Sequence, residues 1–233
     1  VSSDEYIKYA TTVILSILKN NKTNRYFHFH IITNDIQNKS KSKLQKLQKY
    51  NFAISYHAIP AEMTQQISTI KQANHVNSNI FSRLFLPDLF PELDKILCLD
   101  CDLFVRSDIS PLYDLDIKNY CLAAVEDTAE TIIAQRLWND KSHHYYNTGV
   151  MLQNLQQMRK ENYKQIIYNK IHKNSDKYTI GEQDIFNDVY KDKICHLNYT
   201  WNFFHEYHFT RKYFTPIDIN EYQQALNNPN IVH

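Results

Sequence analysis

The sequence predicts an α/β fold in one domain. Helical and strand-like segments alternate through the first half of the 233-residue chain, as they do when helices pack on a central sheet. Hydrophobic residues make up 43% of the chain, which is enough for a substantial core, and no Pro-, Gly- or Ser-rich linker divides it. The second half is less regular, and it contains no internal repeat.

The helices are predicted from apolar residues spaced three or four positions apart. Residues 4–20 have this spacing, and Ser3 or Asp4 is expected to cap the helix at its N-terminus. A helix over residues 78–86 is expected to end at Pro87. The other predicted helices cover residues 40–50, 156–172 and 181–190.

The strands are predicted from short apolar or alternating runs. They cover residues 25–33, 52–59, 94–105, 120–127, 145–155 and 193–203. The run "KILCLDCDLF" at 95–104 differs from the others because it carries two acids, Asp100 and Asp102. Residues two apart on a strand point to the same face, so these carboxylates are expected side by side.

The composition excludes several classes of protein. A formal net charge of +1 does not favour a nucleic-acid partner, and no apolar run approaches the roughly 18 residues of a membrane span. The first residues lack the order of a signal peptide. Cys98 and Cys101 form a C-x-x-C without a second such pair, so reduced cysteines of a cytoplasmic protein are expected rather than a zinc site.

Glycine is scarce. The chain has 2, whereas average usage would give roughly 16. Neither the G-x-G-x-x-G nor the G-x-x-x-x-G-K-[ST] motif can therefore occur, and a nucleotide would have to bind without a glycine-rich phosphate loop. The two glycines, Gly149 and Gly181, are expected at positions that need close backbone approach or a positive φ.

The paired acids are best explained by a divalent cation, which would offset their mutual repulsion and prefers hard oxygen ligands. An EF-hand loop starting at Asp100 fails, because Val105 and Pro111 replace its required Gly and Glu. Three readings stay open: a haloacid-dehalogenase-type phosphatase with Asp100 as nucleophile, a nucleotide-sugar transferase, and an acidic strand end bonded to nearby amides or Arg106.

Four segments together resemble glycosyltransferase family 8, the family of lipopolysaccharide galactosyl- and glucosyltransferases and of glycogenin. They are "FSRLFLPDLFPELDKILCLDCDLFVRSDISPLYDLDI" (81–117), "YYNTGVMLQNLQQMRK" (145–160), "GEQDIFN" (181–187) and "NIVH" (230–233). The resemblance implies a GT-A type, Rossmann-like nucleotide-sugar-binding fold with a mixed, mostly parallel central sheet. It also implies one catalytic domain over residues 1–233, expected to be truncated at both ends.

The resemblance implies a metal held by Asp100, Asp102 and His233. Alone, a terminal histidine would be interpreted as a frayed chain end. An imidazole beside carboxylates suits Mn²⁺, with Mg²⁺ as the second choice. The implied donor-binding residues are Ser2, Ser3, Asp4, Tyr6, Arg83, Asp100, Cys101, Asp102, Asn147, Thr148, Gly149, Glu182 and Gln183.

The matched positions imply separate roles at the donor. Asp4 matches an acid that reads the uracil, and Tyr6 matches the aromatic that stacks on it. The guanidinium of Arg83 suits sugar hydroxyls or phosphate. The segment Asn147–Gly149 matches a loop that lines the sugar.

The implied catalytic residues are Gln183, Glu182 and Asp127. Gln183 is expected near the anomeric carbon as electrostatic support, because an amide is a poor nucleophile. Glu182, where the family more usually has Asp, is expected to hydrogen-bond the donor sugar. Asp127 matches an acceptor-side acid, although a turn residue would explain it equally well.

Four histidines outside these motifs are weaker candidates. His28 and His30 alternate on a strand and could suggest a metal, but they have no further matching ligands nearby and fit a polar strand face better. His143 and His144, next to "YYNTG", could contact an acceptor.

The resemblance therefore implies a metal-dependent, retaining hexosyltransferase. It would move glucose or galactose from a UDP-hexose to a hydroxyl of a glycan or glycolipid acceptor, as in lipopolysaccharide biosynthesis. The enzyme is expected in the cytoplasm, with peripheral membrane contact at its inner face as an option outside these residues. The alternatives are the phosphatase that uses Asp100 and a non-catalytic sugar- or nucleotide-binding module.

Overall fold

A computed structural model describes residues 1–47, 50–68, 78–127, 130–140, 142–204 and 219–233. The α-helices are α1 (Ile7–Lys19), α2 (Asn38–Gln45), α3 (Ala61–Ser68), α4 (Leu86–Leu89), α5 (Ser110–Tyr113), α6 (Glu130–Trp138), α7 (Leu155–Lys160), α8 (Tyr163–Asn174), α9 (Gly181–Tyr190) and α10 (Ile219–Asn227). Short 3₁₀ helices cover Ser78–Phe85, Ser175–Lys177 and Tyr199–Trp201. No helix in this part of the chain has both the length and the apolar character of a membrane span.

The strands form one four-stranded sheet and two separate pairs. They are β1 (Phe27–Ile32), β2 (Phe52–His57), β3 (Lys95–Leu99), β4 (Phe104–Val105), β5 (Leu122–Glu126), β6 (Tyr146–Asn154), β7 (Ile194–His196) and β8 (Ile231–Val232). The large sheet has the order β3-β6-β5-β7, β1 pairs with β2, and β4 pairs with β8.

The predicted mixed sheet is confirmed. β3, β5 and β7 run in one direction, while β6 runs in the other and lies between β3 and β5. Three of the four strands are thus parallel in direction, although two of the three neighbouring pairs are antiparallel. The separate β1–β2 pair is parallel.

Apolar residues cover both faces of β6, the strand that carries Gly149. Met151 packs in a cluster with Ile167 of α8 and Phe186 of α9, whereas Val150 and Leu152 belong to a second cluster on the opposite face. Side chains alternate along a strand, so one buried strand supplies both clusters. β6 is thus anchored on both faces, and its residues Gly149 and Val150 lie beside the end of β3.

The β4–β8 pair fixes the last residues of the chain. Phe104 pairs with Val232 and Val105 with Ile231. On the other side of β8, the N–H of His233 donates to the carbonyl of Phe203 at 2.9 Å. The chain terminus is therefore held between two backbone segments, and the frayed-end interpretation of His233 is wrong.

The predicted strand over residues 94–105 is divided in two. β3 ends at Leu99, and the N–H of Asp100 donates to the carbonyl of Gly149 at 2.8 Å before the chain turns away. It rejoins a ladder at Phe104, with β8 as the new partner. Asp100 and Asp102 consequently lie in the turn between two strands, and their shared direction comes from this turn rather than from a strand pleat.

Three helix predictions also need correction. α1 begins at Ile7 with Tyr6 at the N-cap and no side-chain cap, because the carboxylate of Asp4 instead accepts the N–H of Gln37. Pro87 lies in the first turn of α4, where its missing N–H costs nothing, so it does not end a helix there. The predicted helix 156–172 divides into α7 and α8 at Asn162, which has φ 53°. Gln48 and Lys49, at the end of the predicted helix 40–50, lie outside the described residues.

Candidate active site

Asp100, Asp102 and His233 converge at the end of β3. One ligand atom from each lies within 4.8 Å of the other two, and the described residues form no other such group of three. Nε2 of His233 is 3.9 Å from a carboxylate oxygen of Asp100 and 3.6 Å from one of Asp102. The three side chains predicted as metal ligands are thus neighbours, although 131 residues separate Asp102 from His233.

The chemistry of this group fits a divalent cation. Two carboxylates and one imidazole form a mixed oxygen and nitrogen donor set, which suits first-row divalent metals. The neighbouring imidazole of His233 lowers the pKa of Asp102, against the opposing effect of partial burial. The Asp102 side chain is 73% exposed, so the site opens to solvent on the side from which a ligand would enter.

Gly149 allows the ring of His233 to reach this position. A Cβ on Gly149 would lie 2.2 Å from Cε1 of His233, a distance that no packed structure tolerates. Gly149 does not have a positive φ, unlike Gly181, whose φ is +53° at the start of α9. The close approach expected at Gly149 is therefore to a histidine ring of the chain itself.

Arg83 joins three parts of the site from a buried position. Its guanidinium donates to the carboxylates of Asp100 and Glu182, each at 3.0 Å, and to the backbone carbonyl of Thr148. Burial lowers the pKa of Arg83, but the charges of the two acids outweigh this effect and hold the pKa above its ordinary value. The cationic partner of Asp100 is thus Arg83 and not Arg106.

Glu182 is almost fully buried, with 4% of its surface exposed. Burial raises the pKa of Glu182 to about 7, although the charge of Arg83 acts in the opposite direction. The carboxylate consequently holds a proton more readily than an exposed glutamate does. It is also already bonded to Arg83, as expected of a side chain that orients a ligand.

A cleft of about 250 Å³ lies next to the acidic residues. It is lined by Val1, Ser2, Ser3, Tyr6, Ile80, Arg83, Asp100, Cys101 and Asp102. The first residues of the chain reach it because the N–H of Ser2 donates to the carbonyl of Ile32 at the end of β1. Tyr6 is half exposed, so one ring face is open to a planar ligand.

Six of the predicted donor residues do not line this cleft: Asp4, Asn147, Thr148, Gly149, Glu182 and Gln183. Asp4 is the one among them that bonds to a different part of the chain. Its carboxylate accepts hydrogen bonds from the hydroxyl of Ser40 and the N–H of Gln37, and these bonds lower its pKa. It therefore binds the start of α2, and its role in reading a base stays a prediction.

Gln183 and Asp127 are connected through β6. The N–H of Thr148 donates to Oε1 of Gln183 at 3.0 Å, and Nε2 of Gln183 donates to Asp127 at 3.2 Å. Asn147 also donates to Asp127, at 3.1 Å. Both ends of the Gln183 amide are thus fixed, and the residues predicted for catalysis lie beside those predicted to bind the sugar.

Sequence reasoning missed two residues that hold the site together. Asp184 is fully buried and accepts hydrogen bonds from Arg136, Tyr145 and the N–H of Ile180, which fixes the first turn of α9 and hence Glu182 and Gln183. Its position inside "GEQD" was the available signal. Asn202 bonds His233 and lies outside every motif, so no sequence signal pointed to it.

The four histidines outside the motifs do not belong to the Asp-Asp-His group, and the cysteines form no disulfide among the described residues. The imidazole rings of His28 and His30 pack against each other, and His30 bonds His57. His143 lies 3.2 Å from Asp140 and His144 lies 2.8 Å from Glu126. Cys98, Cys101, Cys121 and Cys195 are all free thiols.

A mixed sheet with apolar clusters on both faces and an Asp-Asp-His group at the end of a strand is the architecture of a GT-A type glycosyltransferase. A solved structure described as the galactosyltransferase LgtC with donor and acceptor sugar analogues has this fold, with a TM-score of 0.83 and 22% identity over 100% of this chain and 84% of that one. The family model described as glycosyl transferase family 8 matches residues 1–233. The chain belongs to this family and is a glycosyltransferase, which leaves the phosphatase alternative without support.

Curated relatives agree with the family assignment. The chain is 26% identical to General stress protein A of Bacillus subtilis over 240 residues, covering 100% of this chain and 82% of the relative. It is 31% identical to Glycosyltransferase GlyA of Streptococcus pneumoniae over 199 residues, covering 84% of this chain. The match spans 26% of GlyA, about a quarter of that relative's length.

Gly149→Ala is expected to displace His233. The added methyl group would overlap the imidazole, and overpacking of this kind costs about 1–3 kcal/mol of unfolding free energy. Urea denaturation should detect this loss in the otherwise unchanged chain. In a His233→Ala background the loss should largely disappear, and an equal cost in both backgrounds would contradict the packing explanation.

Glu182→Gln is expected to change how stability depends on pH in the metal-free protein. The folded chain retains a proton on Glu182 up to about pH 7, whereas an unfolded chain releases it near pH 4.3. The contribution of Glu182 to the unfolding free energy therefore falls as pH rises through this window, by a few kcal/mol in total.

Urea denaturation at several values from about pH 5 to about pH 8 measures how the unfolding free energy changes while Glu182 titrates in the folded chain. Relative to the glutamine variant, the unchanged chain should be more stable at the acid end than at the alkaline end. Glu5→Gln, at an exposed position, is the matched control and should give a parallel curve. Parallel curves for Glu182→Gln would refute the raised pKa.

Proposed function

We propose that the chain is a retaining hexosyltransferase that moves glucose or galactose from a UDP-hexose to a hydroxyl of a glycan acceptor with the help of Mn²⁺. The observation that carries this proposal is the position of the Asp100, Asp102 and His233 group at the rim of the cleft lined by Tyr6 and Arg83. A diphosphate needs neutralising charge, and a planar base needs an exposed aromatic face. A cation held by the Asp-Asp-His group would supply that charge, and Tyr6 offers the aromatic face within the same opening.

The donor would bind with its base toward Tyr6 and its diphosphate toward the acids. Asp100, Asp102 and His233 would hold the metal, which when bound offsets negative charge on the diphosphate leaving group. Arg83 is already bonded to Asp100 and Glu182, so its guanidinium orients these carboxylates before a donor arrives. Glu182 then faces the sugar side, where its carboxyl group can bond hydroxyls.

Retention by front-face attack fits the side chains around Gln183. The amide is fixed by Thr148 and Asp127, which makes it a positioned dipole rather than a nucleophile. Two acids flank Gln183 on α9, and both are buried and already paired: Asp184 with Arg136 and Glu182 with Arg83. Asp127 lies on the side of Gln183 away from Arg83's contacts and is the acid that we assign to the acceptor.

We assign residues 1–233 to one catalytic domain and its acceptor to the glycans or glycolipids of a bacterial surface, such as lipopolysaccharide. The LgtC structure contains an acceptor sugar analogue, which supports a sugar hydroxyl as the acceptor here. A cytoplasmic location with peripheral contact at the inner membrane face accords with such an acceptor. Mg²⁺ is the second choice of metal.

Asp102→Asn is expected to abolish Mn²⁺-dependent UDP binding while the fold stays intact. The amide lacks the charge that a metal ligand supplies, and Asp102 is largely exposed, so folding should be unaffected. Isothermal titration of UDP with and without Mn²⁺ measures the effect. Asp116→Asn, an exposed acid paired with Lys118, is the control, and an unchanged UDP affinity in Asp102→Asn would refute the metal assignment.

Gln183→Ala is expected to lower turnover more than donor binding. Removing one positioned dipole next to a reacting centre typically costs on the order of 10²-fold in kcat. Metal-dependent hydrolysis and transfer of UDP-hexoses give kcat, and titration with the donor gives affinity. Gln165→Ala on the exposed face of α8 is the control. A Gln183 variant that lost binding and kept its turnover would contradict the placement.

A further inference from the structure

We propose that Asn202 is a positioning residue that holds the imidazole of His233 in the Nδ1–H tautomer, leaving Nε2 as the nitrogen that faces the metal ligands Asp100 and Asp102. Nδ1 of His233 lies 2.9 Å from Oδ1 of Asn202, and Nε2 lies on the opposite side of the ring, toward both carboxylates. The inference rests on the proposed metal site and extends it to a residue in no motif.

The orientation of the Asn202 amide follows from a backbone group. The N–H of Gly149 donates to Oδ1 of Asn147 at 2.9 Å, and a backbone N–H can only donate, so this atom of Asn147 must be the oxygen. Asn202 approaches the same oxygen at 2.9 Å and must present its nitrogen there. Its own oxygen therefore faces His233.

The tautomer of His233 follows from this orientation. An amide oxygen only accepts hydrogen bonds, so Nδ1 of the ring must carry the hydrogen. In the neutral ring Nε2 then has a lone pair, which is the state that a metal ligand requires. Metal-bound histidines generally have such a partner on the other nitrogen, and the partner fixes ring orientation and tautomer.

Each hydrogen bond in this chain is donated toward the catalytic side, from His233 at the metal group to Asp127. Asp127 accepts from the nitrogen of Asn147, the oxygen of Asn147 accepts from Asn202, and the oxygen of Asn202 accepts from His233. Asn202 is fully buried, so water does not compete for these bonds. The residues at Gln183 and those at the metal are therefore oriented by a common line of amides.

The test compares two substitutions of similar size. Asn202→Leu removes the acceptor, whereas Asn202→Asp keeps an oxygen facing Nδ1 and loses the bond to Asn147. Asn198→Ala is the matched control. Asn198 precedes and Asn202 follows the same 3₁₀ helix (Tyr199–Trp201), but the Asn198 side chain bonds Thr200 and Gln224. Electron paramagnetic resonance titration with Mn²⁺ measures affinity. The tautomer is read from two-bond ¹H–¹⁵N spectra of the metal-free protein at a pH where the His233 ring is neutral. The spectrum of His233→Gln identifies which signals belong to His233.

We expect Asn202→Leu to weaken Mn²⁺ binding by roughly 10- to 100-fold and to populate the Nε2–H tautomer, whereas Asn202→Asp should stay within about threefold of the unchanged chain. Asn198→Ala should change neither. Equal losses in both Asn202 variants, or an unchanged tautomer in Asn202→Leu, would overturn the proposal. If Asn202→Leu does not fold, the Nδ1–H tautomer in the unchanged chain together with retained Mn²⁺ affinity in Asn202→Asp would support the proposal. The Nε2–H tautomer in the unchanged chain, or a lost affinity in Asn202→Asp, would overturn it.

The two readouts separate this inference from the proposed function. The tautomer is measured without metal, so a chain that bound no Mn²⁺ would refute the metal assignment and leave the positioning role of Asn202 to be judged on the spectra. A chain that bound Mn²⁺ with His233 in the Nε2–H tautomer would refute the positioning role alone.

Discussion

The buried guanidinium of Arg83 is the interaction on which the rest of the site depends. It bonds Asp100 after β3, Thr148 on β6 and Glu182 on α9, and so joins three elements of the site through one buried side chain. A buried cation is tolerated when its charge and hydrogen bonds are matched, and two carboxylates and a carbonyl supply that match here. Removing any partner would leave charge without compensation in a place that water does not reach.

Burial of Glu182 next to Arg83 disfavours the charged form of its carboxyl group. Its carboxyl group lies beside the positive charge of Arg83 and in the field of Asp100, yet burial dominates and raises its pKa to about 7. The site is thus assembled and charged before any ligand binds, which is the condition for recognition with little rearrangement.

Both the backbone and the imidazole ring of His233 have partners within the fold. β8 pairs with β4, His233 bonds Phe203 through its backbone, and its ring packs on Gly149 and bonds Asn202. Each contact comes from a different part of the sequence. The glycine at position 149 therefore has a physical explanation, because a methyl group there would occupy the space of the His233 ring.

The sequence by itself determined the class of fold, most of the helices and strands, and the identity of the residues that form the Asp-Asp-His group. Periodicity carries the information on fold and elements because it depends on neighbouring residues, whereas the Asp-Asp-His residues were implied by the resemblance to glycosyltransferase family 8. It did not determine that β3 ends before Asp100, that Gly149 makes room for His233, or that Asn202 orients the ring. These features depend on contacts between residues far apart in the chain, such as Phe104 with Val232 and Gly149 with His233, and tertiary packing alone brings such residues together.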